Sequence, residues 1–215
     1  MRALMSLSVQ AFSEVLASDA PAPGGGSAAA LAGALGAGLG TMVAGLTYGK
    51  KEWNVLAPDM QQAFRDAHAA LADLRTALEK QVEADTAAFD AFLAARRMPK
   101  DTDAEKAARD VALTEASEVI LAVPYRTAEQ CLAVLRHLET IAAHGNRNAL
   151  SDAGTGAALA LAGLEGALLN VRINLPGIGD ARRQAALTGQ TDWMAAEGGC
   201  RREAVADIIR ARMGT

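Results

Sequence analysis

No residue between Ala20 and Gly49 carries a charge, and that run leaves the chain few ways to fold. A helix without a polar face either spans a membrane or is enclosed by its neighbours. This run is mostly Ala and Gly, whose transfer into lipid is poor. The next apolar stretch, Ala153–Val171, is interrupted by Glu165. The expectation is therefore a helix from Ser27 to about Tyr48 buried on all sides, in a chain with no membrane span. Along it Gly33, Ala37 and Ala44, or Gly36, Gly40 and Ala44, recur at helical spacing. Such rows let neighbouring backbones approach closely.

Composition extends the helical reading to the whole chain. Of 215 residues, 50 are Ala and 20 Gly, and no stretch alternates with a period of two. A first helix is expected over Ala3–Ser18, ahead of the Pro21-Ala22-Pro23-Gly24-Gly25-Gly26 break. A third runs from Pro58 to Met98, about 40 residues and roughly 60 Å. Its stripe is Met60, Phe64, Ala67, Leu71, Leu74, Leu78, Val82, Phe89 and Phe92. A helix longer than a compact subunit predicts a homodimer that covers this stripe. Thr102 and Glu105 read as a capping box, opening a helix that Pro124 ends or kinks and that resumes to His144. Ser151 and Asp152 open a second small-residue helix ending at Asn174, before Pro176 and Gly177. Two short helices, Asp180–Leu187 and Thr191–Met213, close the chain, the latter weakened by Gly198 and Gly199. The fold class is all-α: one domain over 1–215, a bundle of long helices enclosing two small-residue helices.

Charge and cysteine usage exclude several functions. A net charge of -4 and no long basic run argue against nucleic acid as a partner. Cys131, Cys200 and the three histidines show no metal-ligand spacing, so no metal is expected. The reading is a reduced, cytoplasmic protein.

Four features carry candidate chemistry. Asp85 stands where the long stripe calls for an apolar residue, and a carboxylate there is costly unless it is paired or its pKa is raised. It is either a structural hydrogen-bond partner or a general acid/base. On the second small-residue helix Asp152, Gly156, Gly163, Ala167, Asn170 and Asn174 share one face, with small residues leaving room for a flat ligand. Its bland counterpart makes Ser151 or Asp152 an N-cap and lets the asparagines bond backbone. Gly24, Gly25, Gly26 and Ser27 offer backbone N–H groups at a helix start, an anion site or an ordinary turn. Lys50 and Lys51 follow the other end of that helix, where they complement its dipole or bind a carboxylate.

Seven segments in order, PAPGGGSAAALAGALGAGL, LTYGKK, EADTAAFDAF, MPKDTDAEKAAR, AVPYRTAE, NALSDAGTGAAL and LLNVRINL, resemble the cyclodeaminase domain of formiminotransferase-cyclodeaminase and its free-standing relatives. The resemblance covers about four-fifths of the chain. It departs where Glu52 precedes Trp53, since many relatives carry an aromatic sooner, and in the unmatched final helix with Trp193. It implies a helical dimer with folate sites at or near the interface. It also implies formimidoyltetrahydrofolate cyclodeaminase activity, giving 5,10-methenyltetrahydrofolate and ammonia. The alternatives are methenyltetrahydrofolate cyclohydrolase, giving 10-formyltetrahydrofolate, and a non-catalytic helical scaffold. No cofactor beyond the folate substrate is implied. In that setting Asp85 is the expected proton shuttle, with Asp152 and Lys50 as further catalytic candidates. Asp152, Asn170 and Asn174 would read the pterin edge. Lys50 and Lys51 would take the pterin carbonyl or glutamate carboxylates. Gly24, Gly25, Gly26, Ser27 and Ser151 would contact substrate.

Overall fold

The computed structural model describes residues 3–214, so the outermost residues of the expected 1–215 domain lie outside the described ones. Among those described there are seven α-helices and no strand: α1 (Val9–Leu16), α2 (Gly25–Gly45), α3 (Lys51–Asn54), α4 (Pro58–Arg96), α5 (Asp103–His144), α6 (Leu150–Asn174) and α7 (Ala181–Met213). α2 is the central element. It packs against α4, α5 and α6, and α7 lies over α5 and α6.

Glycine placement explains why α2 can hold three neighbours at once. Gly36 faces α6, where an added Cβ would lie 2.7 Å from the carbonyl of Gly156. Gly33 faces Cys131 of α5, and Gly40 faces Leu71 of α4 and Leu138 of α5. Gly33 and Gly40 thus serve α4 and α5 together, and Gly36 serves α6. Their order also shows that α2 and α6 run antiparallel: Gly36 lies by Gly156, Ala29 by Gly163, and Gly25 by Asn170.

Three expectations are corrected. Pro124 neither ends nor visibly divides α5, which is continuous over Asp103–His144 after the capping box of Thr102 and Glu105. α7 is one helix, because Gly198 is its contact point: a Cβ there would lie 2.2 Å from Leu164 Cδ2. Thr191, Met194 and Val205 bury its inner face, which offsets the roughly 1 kcal/mol that a glycine costs a helix. The long stripe of α4 is not left for a partner either. Phe64, Leu71, Leu78 and Val82 are fully buried within the chain.

The apolar surface that stays uncovered lies elsewhere. Two helical stretches, Gly25–Gly45 and Arg147–Gly177, are long and apolar enough to cross a membrane, where the sequence reading found only one. They pack on each other inside the bundle. Their outer sides carry Leu35 and Met42 on α2, with Leu46 just past its end, and Leu169 and Ile173 on α6, all exposed.

Candidate active site

Because α4 also runs antiparallel to α2, the residue that breaks its apolar stripe meets the start of α2. Asp85 rests on the first turn of α2, where helix N–H groups lack intrahelical partners and favour negative charge. Contact is close enough to require glycine: a Cβ on Gly26 would lie 2.0 Å from Asp85 Oδ1. The Ser27 hydroxyl donates to Oδ2 at 2.8 Å. Burial pushes the Asp85 carboxyl above the ordinary carboxylate range, against the hydroxyl and backbone N–H of Ser27, which pull it down. The anion site foreseen at the glycine turn is therefore filled by the protein's own carboxylate.

A cavity of about 280 Å³ opens beside it, lined by Pro21, Ala22, Gly24, Gly25, Gly26, Asp85, Phe89, Ile120, Asn170, Ile173 and Asn174. Asp85 is the sole ionisable side chain of that lining. Asn170 Nδ2 donates to the carbonyl of Gly166 at 2.9 Å, and Asn174 Nδ2 to those of Asn170 at 2.9 Å and Ile120 at 3.1 Å. With both donors of Asn174 and one of Asn170 engaged, both amides have their Oδ1 atoms left to accept hydrogen bonds. Pro124 supplies part of this arrangement. It has no N–H to give to Ile120, four residues earlier, and the carbonyl so released is the one that takes Asn174.

Of the predicted site residues, Gly24, Gly25, Gly26, Asp85, Asn170 and Asn174 come together. Ser27 joins them from behind: it is fully buried and touches Asp85 rather than the cavity. The others sit at the far end of the α2–α6 pair. Lys50 precedes α3 and is exposed. Lys51 lines an open groove with Glu52, Val55, Arg147, Ala211 and Arg212. Ser151 is exposed and Asp152 half-buried, in the first turn of α6. Eighteen residues of helix from Asp152 to Asn170 amount to about 27 Å.

The flat-ligand groove expected along α6 is absent for a physical reason. Gly156, Gly163 and Ala167 are buried, and the space above Gly156 and Gly163 is taken by the backbone of α2. Only the C-terminal end of that face opens. Phe89, Ile120 and Ile173 were missed, although Phe89 stands one turn from Asp85 and Ile173 one turn from Asn170.

A larger groove, about 710 Å³, runs between α4 and α5 and is lined mostly by alanines, with Glu115 its one ionisable group. It has no cluster of polar groups, so the smaller cavity is the better candidate for chemistry. Among the described residues no three His, Cys, Asp or Glu gather as a metal site. Cys131 is buried, which pushes its thiol up to about 12 and keeps it unreactive. Near Lys50, the Tyr48 ring meets Trp53 edge-on at 4.8 Å, and Arg65 lies over Trp53.

A profile described as formiminotransferase-cyclodeaminase matches residues 8–192. The chain belongs to this family. It is 37% identical over 205 residues to the methenyltetrahydrofolate cyclohydrolase of Methylorubrum extorquens, covering 95% of this chain and 97% of that one. It is 38% identical over 179 residues to the formimidoyltransferase-cyclodeaminase of Rattus norvegicus, covering 83% of this chain but 32% of the rat protein. The chain thus spans about a third of that relative. Its fold matches a crystal structure of formiminotetrahydrofolate cyclodeaminase from Thermotoga maritima with a TM-score of 0.82, over 97% of this chain and 98% of the other. At 24% identity that likeness bears on the fold alone.

Proposed function

We propose that this member of the family is a folate one-carbon enzyme that hydrolyses 5,10-methenyltetrahydrofolate to 10-formyltetrahydrofolate, with Asp85 as the proton shuttle. The observation that carries the reading is a cavity whose single ionisable group is a carboxyl of raised pKa. The methenyl substrate is cationic at the reacting carbon, which suits a pocket holding one acid and no cation. Water adds to that carbon while Asp85 takes a proton from it. The bond from carbon to N5 then breaks, Asp85 returns its proton to N5, and the hydroxyl proton leaves to solvent. The Oδ1 atoms of Asn170 and Asn174 would accept from pterin N–H groups, and the backbone of Gly24–Gly26 would donate to its carbonyl. No metal or further cofactor enters the reaction.

The near end-to-end similarity to a free-standing cyclohydrolase moves the preferred reaction away from cyclodeamination, the first reading of the sequence. Cyclodeamination stays as the second reading, favoured by 38% identity to the rat enzyme over this region. There N10 attacks the formimino carbon and passes its proton to Asp85, which gives it to the amine as the bond from carbon to that amine breaks and ammonia leaves. Purified protein offered each folate separately decides between them: loss of methenyl absorbance marks the hydrolase, whereas gain of methenyl absorbance with ammonia release marks the deaminase. Turnover of neither would overturn the proposal.

A homodimer belongs to the same reading. The exposed apolar sides of α2 and α6 give it a surface, with an interface above about 2,000 Å² expected for an obligate pair. A two-fold axis across the middle of this antiparallel pair would bring Lys50 and Lys51 of a second copy toward the Asp85 cavity. They would there meet the glutamate carboxylates of the folate. Light scattering that finds a stable monomer at micromolar concentration would defeat it. In this reading α2 and α6 are core helices of a soluble, cytoplasmic enzyme, with neither a membrane nor a nucleic acid as partner.

A further inference from the structure

Behind Asp85, away from the cavity, three oxygens surround one hydroxyl. Ser27 Oγ lies 2.8 Å from Asp85 Oδ2, 3.2 Å from Thr86 Oγ1 and 3.1 Å from the carbonyl of Val82. Ser27 is fully buried and Thr86 half-buried. A hydroxyl has one proton to donate and can accept from two others, so Ser27 cannot donate to Asp85 and Val82 at the same time. The choice is set by the charge on Asp85. With the carboxylate ionised, Thr86 donates to Ser27 and Ser27 donates to Oδ2. With Asp85 protonated on Oδ2, the acid donates to Ser27 and Ser27 turns its own proton to the carbonyl of Val82. Neither state leaves a buried hydroxyl without a partner, an omission that would cost about 1–3 kcal/mol.

We infer that Ser27 and Thr86 are positioning residues: Ser27 is a hydroxyl rotor, steadied by Thr86, that holds Oδ2 of Asp85 in both of its protonation states. Oδ1, over the Gly26 backbone, is then the oxygen left for the ligand. Both states are bonded, and the ionised one gains more, because its bond from Ser27 is charge-assisted. A rotor lets the carboxyl gain and lose a proton repeatedly without moving. Among the described residues no charged group competes for this role. Gly26 and Ser27 face Asp85 from α2, Ile120 from α5, and Asn170, Ile173 and Asn174 from α6. Val82, Thr86 and Phe89 adjoin it on its own helix. All are neutral.

The inference rests on Asp85 being the proton shuttle, and its test separates the two. The ionisation midpoint of Asp85 is read by carbon NMR on ligand-free protein labelled at the Asp carboxyl carbon, with Asp85→Asn identifying the signal. Ser27→Ala should move the midpoint to higher pH, because the charge-assisted bond lost by the ionised form is stronger than the neutral one lost by the acid. Thr86→Val should move it in the same direction by less, and Thr86→Ser should restore the wild-type value. Turnover at neutral pH should fall roughly tenfold in Ser27→Ala, the size of one hydrogen bond to a charged group. The low-pH limb of its rate profile should follow the NMR midpoint. An unmoved midpoint in folded Ser27→Ala and Thr86→Val, or a Thr86→Ser displaced as far as Thr86→Val, overturns the rotor. Should Ser27→Ala not fold, the Thr86 pair decides alone. An active Asp85→Asn defeats the shuttle instead, whatever the midpoints show.

Discussion

The two ends of the α2–α6 pair come out chemically opposite. Where α2 begins and α6 ends, one carboxyl is drawn into a small cavity of amides and backbone, with its pKa raised by burial. Where α2 ends and α6 begins, Lys51, Arg147 and Arg212 line an open groove. Arg212 there caps the end of α5, donating to the carbonyls of Ala142 at 2.6 Å and Gly145 at 2.8 Å. The first end is arranged to tune one proton. The second is an open groove in which three basic side chains outnumber the one acid, Glu52. An ionisable residue on a helix acquires its role from which end of the neighbouring helix it meets.

The strongest way to break this contrast is to neutralise one carboxyl at each end. Asp85→Asn should lower turnover by about 10²–10⁴, the worth of general acid/base action, whereas Asp152→Asn should change it less than tenfold. Stability should move the other way at the first end. The native carboxyl of Asp85 holds its proton to higher pH than in the unfolded chain. Its contribution to stability is therefore full below the unfolded value and is lost as pH rises through the raised folded one. Asp85→Asn should accordingly melt no lower than wild type at pH 7, and its melting temperature should fall less between acid and neutral pH. An unfolded Asp85→Asn, or one with wild-type turnover, moves the chemistry to the Asp152 end.

Glycine sharpens the comparison between site and scaffold. Gly26→Ala pushes a Cβ into the Asp85 carboxyl and should cost about 10² in turnover, as expected when a catalytic group is displaced by about 1 Å. Gly36→Ala drives a Cβ into the Gly156 backbone and should cost about 1–3 kcal/mol of stability instead. That lowers the melting temperature by roughly 2–4 °C per kcal/mol in a chain of this size, with kcat kept in the folded fraction. Equal losses of activity in the two variants would erase the distinction.

Smaller effects follow at each end. Asn174→Ala should raise KM about tenfold, one hydrogen bond lost to the ligand, with kcat changed less. Lys50→Ala and Lys51→Ala should raise KM only about two- to threefold, more at low salt than at high salt because the charges are exposed. A loss of kcat from either lysine would place it at the chemistry.

How much of this was legible differs from residue to residue. Asp85 could be found in the sequence because helical periodicity makes a misplaced carboxylate visible. The capping box of Thr102 and Glu105 could be read because capping is local. The continuity of α5 through Pro124 could not, since the cost of the proline is borne by a contact from Asn174, fifty residues away in sequence. Nor could the unbroken α7, because Gly198 reads as a breaker until Leu164 is seen against it. Asp152 and Asn170 shared a face in the sequence and still belong to different sites, because a shared face says nothing about distance along the helix.

What the sequence determined by itself is whatever depends on neighbours within a turn or two: helices, small-residue seams, caps, and the one carboxylate out of register. Tertiary structure alone decided which helix ends meet. Antiparallel packing brings the start of α2 to the end of α6 and to the C-terminal half of α4, joining Gly26, Asp85 and Asn170 while carrying Lys50 and Asp152 about 30 Å away along rigid helices. The physical reason is that helix formation is governed by local hydrogen bonds and spacing. The pairing of ends is governed by the fit of whole helical surfaces, in which Gly36 against Gly156 and Gly198 against Leu164 set the approach.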